Sequence, residues 1–235
     1  MKSELSNINF LNEAFFKNEL FTNKLFVYHN NFELSFTPVG HLVSNQGTGS
    51  ISSFVNLTQF FGTIGCCELN ITGVSLNSRS GIGYSVSTPS RNFLLRFDDS
   101  YWTLFETKVY FNSLSNNNYF QIGLSNTILP TNVGSGLPQT NFGNTIGFRY
   151  DPSNTTGENS GITNLFLFTK VNGVGFNSVN TGINLLTNTW YILRFIIENT
   201  STGIYLKAFV NGNLILNIFN PTNMPFVVSP SPFAG

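Results

Sequence analysis

An all-β sandwich is the fold class that this sequence predicts, and three observations lead to it. From about residue 50 onward, short apolar runs alternate with clusters of Gly, Asn, Pro and Ser, which is typical of strands joined by turns. No run in this part keeps a helical period long enough for a helix of three turns. The chain has 235 residues, of which 41% are hydrophobic and 15% aromatic. It is therefore long enough to bury one large core.

The N-terminal segment differs from the rest of the chain. Its apolar residues, from Leu5 to Leu20, recur at mixed spacings of three and four, which predicts a short amphipathic helix or an extended arm. Frequent Asn residues lower its helix propensity. Such a segment is marginal alone and needs a partner surface. We assign residues 1–50 to an arm or anchor and residues 51–235 to the sandwich, with a helix packed on its own sandwich as the alternative.

The candidate strands are short apolar runs bounded by turn residues. In chain order they are Phe54–Gly62, Cys66–Gly73, Ile82–Val86, Phe93–Phe97, Leu104–Phe111, Tyr119–Leu124, Thr145–Tyr150, Asn164–Lys170, Thr189–Glu198 and Ile204–Val210. In the strand from Thr189, alternation predicts that Tyr191, Leu193, Phe195 and Ile197 face the core.

A tight hairpin is predicted within Lys207–Ile218. Asn211 and Gly212 lie between two alternating runs and supply the two positive φ angles of a type I′ turn. The two flanking runs should therefore pair antiparallel.

The surface is predicted to be neutral and polar. Charged residues make up 9% of the chain, with 11 basic and 11 acidic side chains, against roughly 25% in ordinary soluble domains. Neutral surfaces suit proteins that pack side by side, because strong net charge repels neighbours. An AT-rich genome explains the same composition, and the two explanations carry equal weight.

Composition also excludes several kinds of partner. Without clustered Lys and Arg we expect no nucleic-acid binding, because phosphates must be neutralised. We expect no membrane span, because no apolar stretch of about 20 residues occurs. Residues 1–5 lack the apolar core of a secretory signal, so we expect assembly in the host cytoplasm.

No catalytic, cofactor or metal site is predicted. Glycoside cleavage needs two carboxylates flanking the bond, whereas the best acidic pair, Asp98 and Asp99, is adjacent in a turn. Cys66 and Cys67 are neighbours, so a disulfide between them would be strained, and His29 and His41 are not at ligand spacing. We therefore expect that the protein is not an enzyme.

Segments of the second half follow one another in an order that resembles a known family. They are Tyr119–Leu124 (aromatic-x-Ile-Gly), Gly147–Asp151 (Gly-Phe-x-Tyr-Asp), Asn188–Asn199 (Thr-Trp-Tyr-x-Leu-Arg) and Phe209–Leu214 (aromatic-Val-Asn-Gly). This order resembles the concanavalin A-like lectin/glucanase jelly roll, in the version found in phage structural proteins. The resemblance covers roughly residues 60 to 230.

The resemblance implies a concanavalin A-like jelly-roll sandwich with four structural motif residues, Trp190, Arg194, Asn211 and Gly212. We expect Trp190 to cap the edge of the core and Arg194 to project outward or to form an ion pair. The family's domain continues with closing strands after this region. We therefore expect the N-terminal arm, a neighbouring subunit or a short edge to complete the sheet, and we favour subunit contact.

The resemblance also implies a function, that of a virion structural protein, either a capsid-decorating, head-fibre or tail-associated subunit. We expect a homo-oligomer, with a trimer favoured, located in the virion and bound to other virion proteins through the arm.

A carbohydrate-binding module for attachment to host-surface glycans is the alternative function. In that case loop aromatics would stack on sugar rings, and Tyr101, Trp102 and Tyr119 are the candidate ligand-stacking residues. The two functions are compatible, because a fibre can bind host glycans.

Overall fold

The computed structural model describes residues 41–46, 50–56, 65–71, 79–84, 95–96, 102–114, 119–125, 144–152, 163–171, 174–225, 227–228 and 231–234. Side chains are described from residue 103 to residue 225 within these ranges. The segment from Leu5 to Leu20, Cys66, Cys67 and the Asp98–Asp99 pair therefore stay outside the side-chain description.

The described residues form fifteen strands, and every pairing among them is antiparallel. In chain order they are β1 (His41–Gln46), β2 (Ser50–Asn56), β3 (Gly65–Ile71), β4 (Arg79–Tyr84), β5 (Leu95–Arg96), β6 (Trp102–Phe111), β7 (Phe120–Ser125), β8 (Thr145–Tyr150), β9 (Asn164–Val171), β10 (Gly175–Asn184), β11 (Thr189–Thr200), β12 (Gly203–Val210), β13 (Asn213–Phe219), β14 (Val227–Val228) and β15 (Ser231–Ala234).

Two large sheets make up the body of the protein. A seven-stranded sheet has the order β1-β4-β15-β7-β8-β9-β10, and a four-stranded sheet has the order β13-β12-β11-β6. Two further pairs, β14 with β5 and β2 with β3, lie outside them. Within the described segments, no helix is long and apolar enough to cross a membrane.

One core lies between the two large sheets. It takes Ile146 and Phe148 from β8 and Leu193 and Phe195 from β11, all at 0% exposure. The Phe148 and Phe195 rings meet across the interface with centroids 6.2 Å apart. Alternation along each strand places these residues on one face, because successive side chains of a strand point to opposite sides. The predicted all-β sandwich is thus confirmed, as is the predicted core face of β11.

The hairpin predicted around Asn211 and Gly212 is confirmed. Their φ angles are 51° and 82°, and β12 pairs antiparallel with β13 on either side of them. Asn211 also ties the turn to β11, because its backbone N–H donates to the Ile192 carbonyl oxygen (2.9 Å) and its side-chain oxygen accepts from the Ile192 N–H (2.8 Å). The turn therefore belongs to the sheet.

The C-terminal end of the chain completes the seven-stranded sheet. β15 lies between β4 and β7, where Phe233 is opposite Gly83 on one side and Gly123 on the other. We expected the arm, a neighbouring subunit or a short edge to complete the sheet. For this position that expectation was wrong, because the chain's own last strand fills it.

Four strands were not among the candidates: β1, β10, β14 and β15. β10 was missed because its sequence is rich in Asn and Gly, which have low strand propensity. β1 lies in the part assigned to the arm, yet it pairs with β4 over its whole length, from His41 opposite Tyr84 to Gln46 opposite Arg79. The boundary between residues 50 and 51 stays a prediction.

Candidate functional site

The outer face of β7 and β8 carries the candidate site. On β8, Ile146 and Phe148 point into the core, so Thr145, Gly147 and Arg149 point to the other side of the sheet. Both sides are buried, because every residue of β8 is buried. Strands buried on both faces are normally apolar throughout, so a buried polar face calls for a functional explanation.

Four side chains on this face form what we call the polar cluster: Tyr119, Gln121, Arg149 and Asp151. Gln121 and Arg149 are directly opposite each other in the β7–β8 register. Tyr119 immediately precedes β7 and Asp151 immediately follows β8, so both lie at the same end of the strand pair. The sheet register therefore brings together residues that are about 30 positions apart in sequence.

A buried ion pair is the electrostatic centre of the polar cluster. Arg149 donates from Nη2 to the Oδ2 atom of Asp151, and the side chains are 0% and 6% exposed. The guanidinium group also lies 5.3 Å from the centroid of the Phe176 ring of β10. An aromatic face stabilises a cation in a desolvated place, so Phe176 supports the charge of Arg149 from a third strand.

Two members of the polar cluster keep hydrogen-bonding capacity. The Gln121 side chain is buried, with the residue at 1% exposure, and neither its amide oxygen nor its amide nitrogen has a hydrogen-bond partner among the described residues. The same holds for the buried hydroxyl oxygen of Tyr119. A polar atom in this state costs about 1–3 kcal/mol, which a ligand or ordered water would offset.

Protonation favours Tyr119 as a hydrogen-bond donor. Burial raises the pKa of Tyr119 well above its ordinary value of 10.0; the Arg149 charge lowers it and the Asp151 charge raises it further. At neutral pH the hydroxyl is therefore protonated. On the same face, burial lowers the pKa of Lys170 below its ordinary 10.5.

A pair of buried glycines adjoins the polar cluster. Gly123 and Gly147 are opposite each other, next in line after Gln121 and Arg149. A Cβ atom on Gly123 would collide with the Ile146 carbonyl oxygen and lie 2.6 Å from the Gly147 Cα atom. The strands thus approach too closely for side chains here. Both glycines are buried, so this close approach is part of the packing of the sheet.

The described part of this face carries one carboxylate. Among the described residues of β7 and β8 and those immediately next to them, Asp151 is the single carboxylate, and it is held by Arg149. The donors and acceptors of Gln121 and Tyr119 are uncharged. Such groups fit a neutral polar ligand with both hydrogen-bond donors and acceptors.

The candidate ligand-stacking residues do not form one described site. Tyr101 lies outside the described residues, and Trp102 is described only as the first residue of β6. Tyr119 belongs to the polar cluster, where the residue is half-buried and its hydroxyl is buried.

The motif residues lie on the other sheet. Arg194 is on the outer face of β11 and donates from Nε to the Glu106 Oε2 atom at 2.6 Å. We expected Trp190 to cap the core edge, but it lies on this outer face, 5.1 Å from the Tyr110 ring and 4.7 Å below the Lys108 ammonium group. The reason is strand alternation, since Tyr191 takes the core side.

Sequence reasoning missed Gln121, Arg149 and Asp151 as a site. Their signal is alternation, because polar residues at every second position interrupt strands whose other residues are core. These residues lie within the motif segments, but a motif does not show which face of a strand each residue occupies.

Comparisons with known proteins give similarity to solved structures only. No protein-family model matches the chain, and no curated protein matches it. A β-glucanase of Bacillus licheniformis is 15% identical, with a TM-score of 0.44, over 85% of this chain and 79% of that chain.

Two further solved structures are similar at the same level. An endo-β-1,4-glucuronan lyase from the fungus Trichoderma reesei is 12% identical, with a TM-score of 0.43, over 86% of this chain and 81% of that chain. Domain 4 of AbnA, a GH43 extracellular arabinanase from Geobacillus stearothermophilus solved with arabinotriose, is 12% identical, with a TM-score of 0.38, over 83% of this chain and 80% of that chain.

Proposed function

We propose that this chain is a non-enzymatic virion structural protein that presents its β-sandwich on the particle surface. The observation that carries the proposal is the order of the phage-type motif segments. They occupy β7, β8, β11 and the β12–β13 hairpin of one sandwich. The low charge content adds support, because subunits packed side by side then meet without strong repulsion.

The described motif residues stabilise the fold. Asn211 fastens the hairpin to Ile192, and Arg194 with Glu106 links β11 to β6. A motif that stabilises a sheet identifies a type of scaffold and not a reaction. This is consistent with a structural role.

Attachment to the particle is the second element of the proposal. We propose that the part of the N-terminal arm that precedes β1 binds other virion proteins and that the sandwich faces outward as a homo-oligomer. Capsid decoration, a head fibre and a tail position differ in copy number, which is the quantity to measure.

Mass spectrometry of purified particles tests the proposal. The peptides of this chain should be enriched with the particles, and hundreds of copies would indicate capsid decoration, whereas a few copies would indicate a tail or fibre position. Removal of residues 1–40, the part of the chain before β1, should abolish rebinding of the purified protein to particles that lack it. If its peptides are absent from purified particles, the proposal is wrong.

Carbohydrate binding is a second candidate function, favoured by the polar cluster. Sugars are neutral and present paired donors and acceptors, which matches the uncharged groups of Gln121 and Tyr119. Tyr119 as a residue is only half-buried, whereas Gln121, Arg149 and Asp151 are buried, so the Tyr119 end of the cluster is the one nearest to solvent.

A glycan array with matched variants tests this second function. Gln121→Leu removes both amide atoms at nearly constant volume and should abolish any glycan signal. Asn184→Leu changes an exposed amide at the end of β10 and should leave the signal unchanged. No signal from the wild-type protein at high concentration, or equal signals from both variants, would exclude the polar cluster as a sugar site.

A further inference from the structure

The outer edge of β13 is an unprotected edge of the four-stranded sheet. β13 stands at one end of the order and pairs with β12, and no described strand is hydrogen-bonded to its other edge. Leu214 and Phe219 are 53% and 49% exposed, and Asn213 and Asn217 are exposed as well. The strand therefore presents both side chains and backbone to its surroundings.

The register shows which backbone groups point away from the sheet. The Asn220 N–H donates to the Ile204 carbonyl oxygen at 2.7 Å, and Leu206 is opposite Ile218. Because alternate residues face the partner strand, Ile218 faces β12 while Asn217 and Phe219 direct their N–H and C=O groups outward. Groups arranged in this way are matched by one added strand.

The other large-sheet edges with described side chains carry features that oppose pairing. On β6, Glu106 and Lys108 place exposed charges along the edge. On β10, the register shifts between Asn180 and Asn184, and Gly182 has a φ of 74°. Edge charges and breaks in the ladder are the usual means by which proteins prevent strand addition.

β13 has little of this protection. Its sequence, Asn-Leu-Ile-Leu-Asn-Ile-Phe, contains no charged residue and no proline. Its register shift lies near the turn, opposite Ala208 and Phe209, so residues 216–219 form a regular ladder. On the outer face, Phe219 lies 4.9 Å from the Tyr205 ring, which extends the aromatic surface to the edge.

We propose that β13 is the site at which two copies of this chain associate. The two β13 edges pair antiparallel about a two-fold axis, and two four-stranded sheets become one continuous sheet. A second copy fits this edge because an uncharged strand opposes no like charge when it pairs with itself, and its Leu and Ile residues meet Leu and Ile. A two-fold contact of this kind also closes on itself.

This inference is independent of the virion proposal. Pairing through β13 is a property of the purified chain, so it can hold if the protein is absent from particles and can fail if the protein is present. It also predicts a dimer, whereas the expectation from the sequence was a trimer.

Sedimentation velocity of the full chain over a concentration series tests the pairing. The wild-type protein should sediment as a dimer. Asn217→Pro removes an outward N–H and leaves the hydrogen bonds to β12, so this variant should be a monomer. Asn217→Lys places two ammonium groups near the two-fold axis and should raise the dissociation constant at least tenfold, less so at high salt.

Thr187→Lys is the matched control, because it adds the same charge in the exposed turn between β10 and β11. It should behave as the wild type. If Asn217→Pro fails to fold, amide hydrogen exchange of the wild-type protein tests the pairing instead. The Asn217 and Phe219 amides should then exchange more slowly as protein concentration rises. A monomeric wild type, concentration-independent exchange of both amides, or an oligomer that survives Asn217→Lys unchanged would overturn the proposal.

Discussion

At the scale of single residues, the Arg149–Asp151 ion pair has the largest expected effect on stability. Both side chains are buried, so removing the Asp151 carboxylate takes a buried counter-charge away from the Arg149 guanidinium group. We predict that Asp151→Leu lowers the free energy of unfolding by about 3–5 kcal/mol in urea denaturation. The double variant Arg149→Met with Asp151→Leu should recover part of this loss, because no buried charge remains. A double variant less stable than Asp151→Leu would contradict the account.

Two buried tyrosine hydroxyls allow a second test. The Tyr191 hydroxyl accepts a hydrogen bond from the Leu186 N–H at 2.8 Å, whereas the Tyr119 hydroxyl has no partner among the described residues. We predict that Tyr191→Phe costs about 1 kcal/mol, and that Tyr119→Phe costs nothing or stabilises slightly, because it removes a desolvated group. Thermal and urea unfolding of both variants measure this. Equal losses would show that the Tyr119 hydroxyl is satisfied.

Residue roles were only partly predictable from sequence. Alternation identified the core residues of β11, because successive side chains of a strand point to opposite faces whatever the neighbouring strands are. It could not show that Tyr119 buries its hydroxyl beside Arg149 and Asp151, since that depends on the register between β7 and β8. Register over such separations is set by tertiary packing.

At the scale of elements, the close approach of β7 and β8 depends on two glycines. A Cβ on Gly147 would collide with the Ile122 carbonyl oxygen, a backbone atom that cannot rotate away. We predict that Gly147→Ala lowers the free energy of unfolding by about 3 kcal/mol, at the upper end of overpacking costs. Gly175→Ala is the control, because its Cβ would meet the flexible Asn223 side chain at 3.1 Å, and it should cost less than about 1 kcal/mol. Similar losses in both variants would show that the strands can separate.

Strands were predictable where propensity and alternation agree. Thr145–Tyr150 was predicted with both ends correct, and the Asn211–Gly212 turn follows from local chemistry alone. β10 escaped prediction because tertiary contacts override its weak propensity. Its Thr181 hydroxyl, for example, donates to the Leu165 carbonyl oxygen of β9 at 2.6 Å.

At the scale of the whole molecule, the sequence predicted a sandwich but not the strand order. The position of β15 between β4 and β7 joins segments that are far apart in sequence, with Phe233 opposite Gly83. Short-range patterns carry no information on such pairings. The stabilising free energy of a long-range strand pairing is gained only when the two sheets pack. The same limit applies to the polar cluster, which exists only when β7 and β8 are aligned.

The stability of the whole molecule should fall in alkaline solution because of its buried tyrosines. Burial raises the pKa of Tyr119 and Tyr150 above 10.0 in the folded state. Above pH 10.0 the unfolded chain therefore loses these protons first, and the free energy of unfolding decreases as pH rises toward the folded pKa values. Lys170 has the opposite effect on the free energy of unfolding. Because burial lowers the pKa of Lys170 in the folded state, the folded state loses this proton before the unfolded state does, and the free energy of unfolding gains from this as pH rises to 10.5.

Above pH 10.5 the contribution of Lys170 to the free energy of unfolding is constant, so we attribute the decline in that range to the tyrosines. Urea denaturation at a series of pH values up to about 12 should show a falling free energy of unfolding in the wild type and a shallower fall in Tyr119→Phe. Tyr150 is retained in that variant and accounts for the residual slope. Identical slopes in the two proteins would mean that the Tyr119 hydroxyl ionises as easily in the folded chain as in the unfolded one. The polar cluster would then be open to water, and Tyr119 would not be a buried hydrogen-bond donor for a ligand.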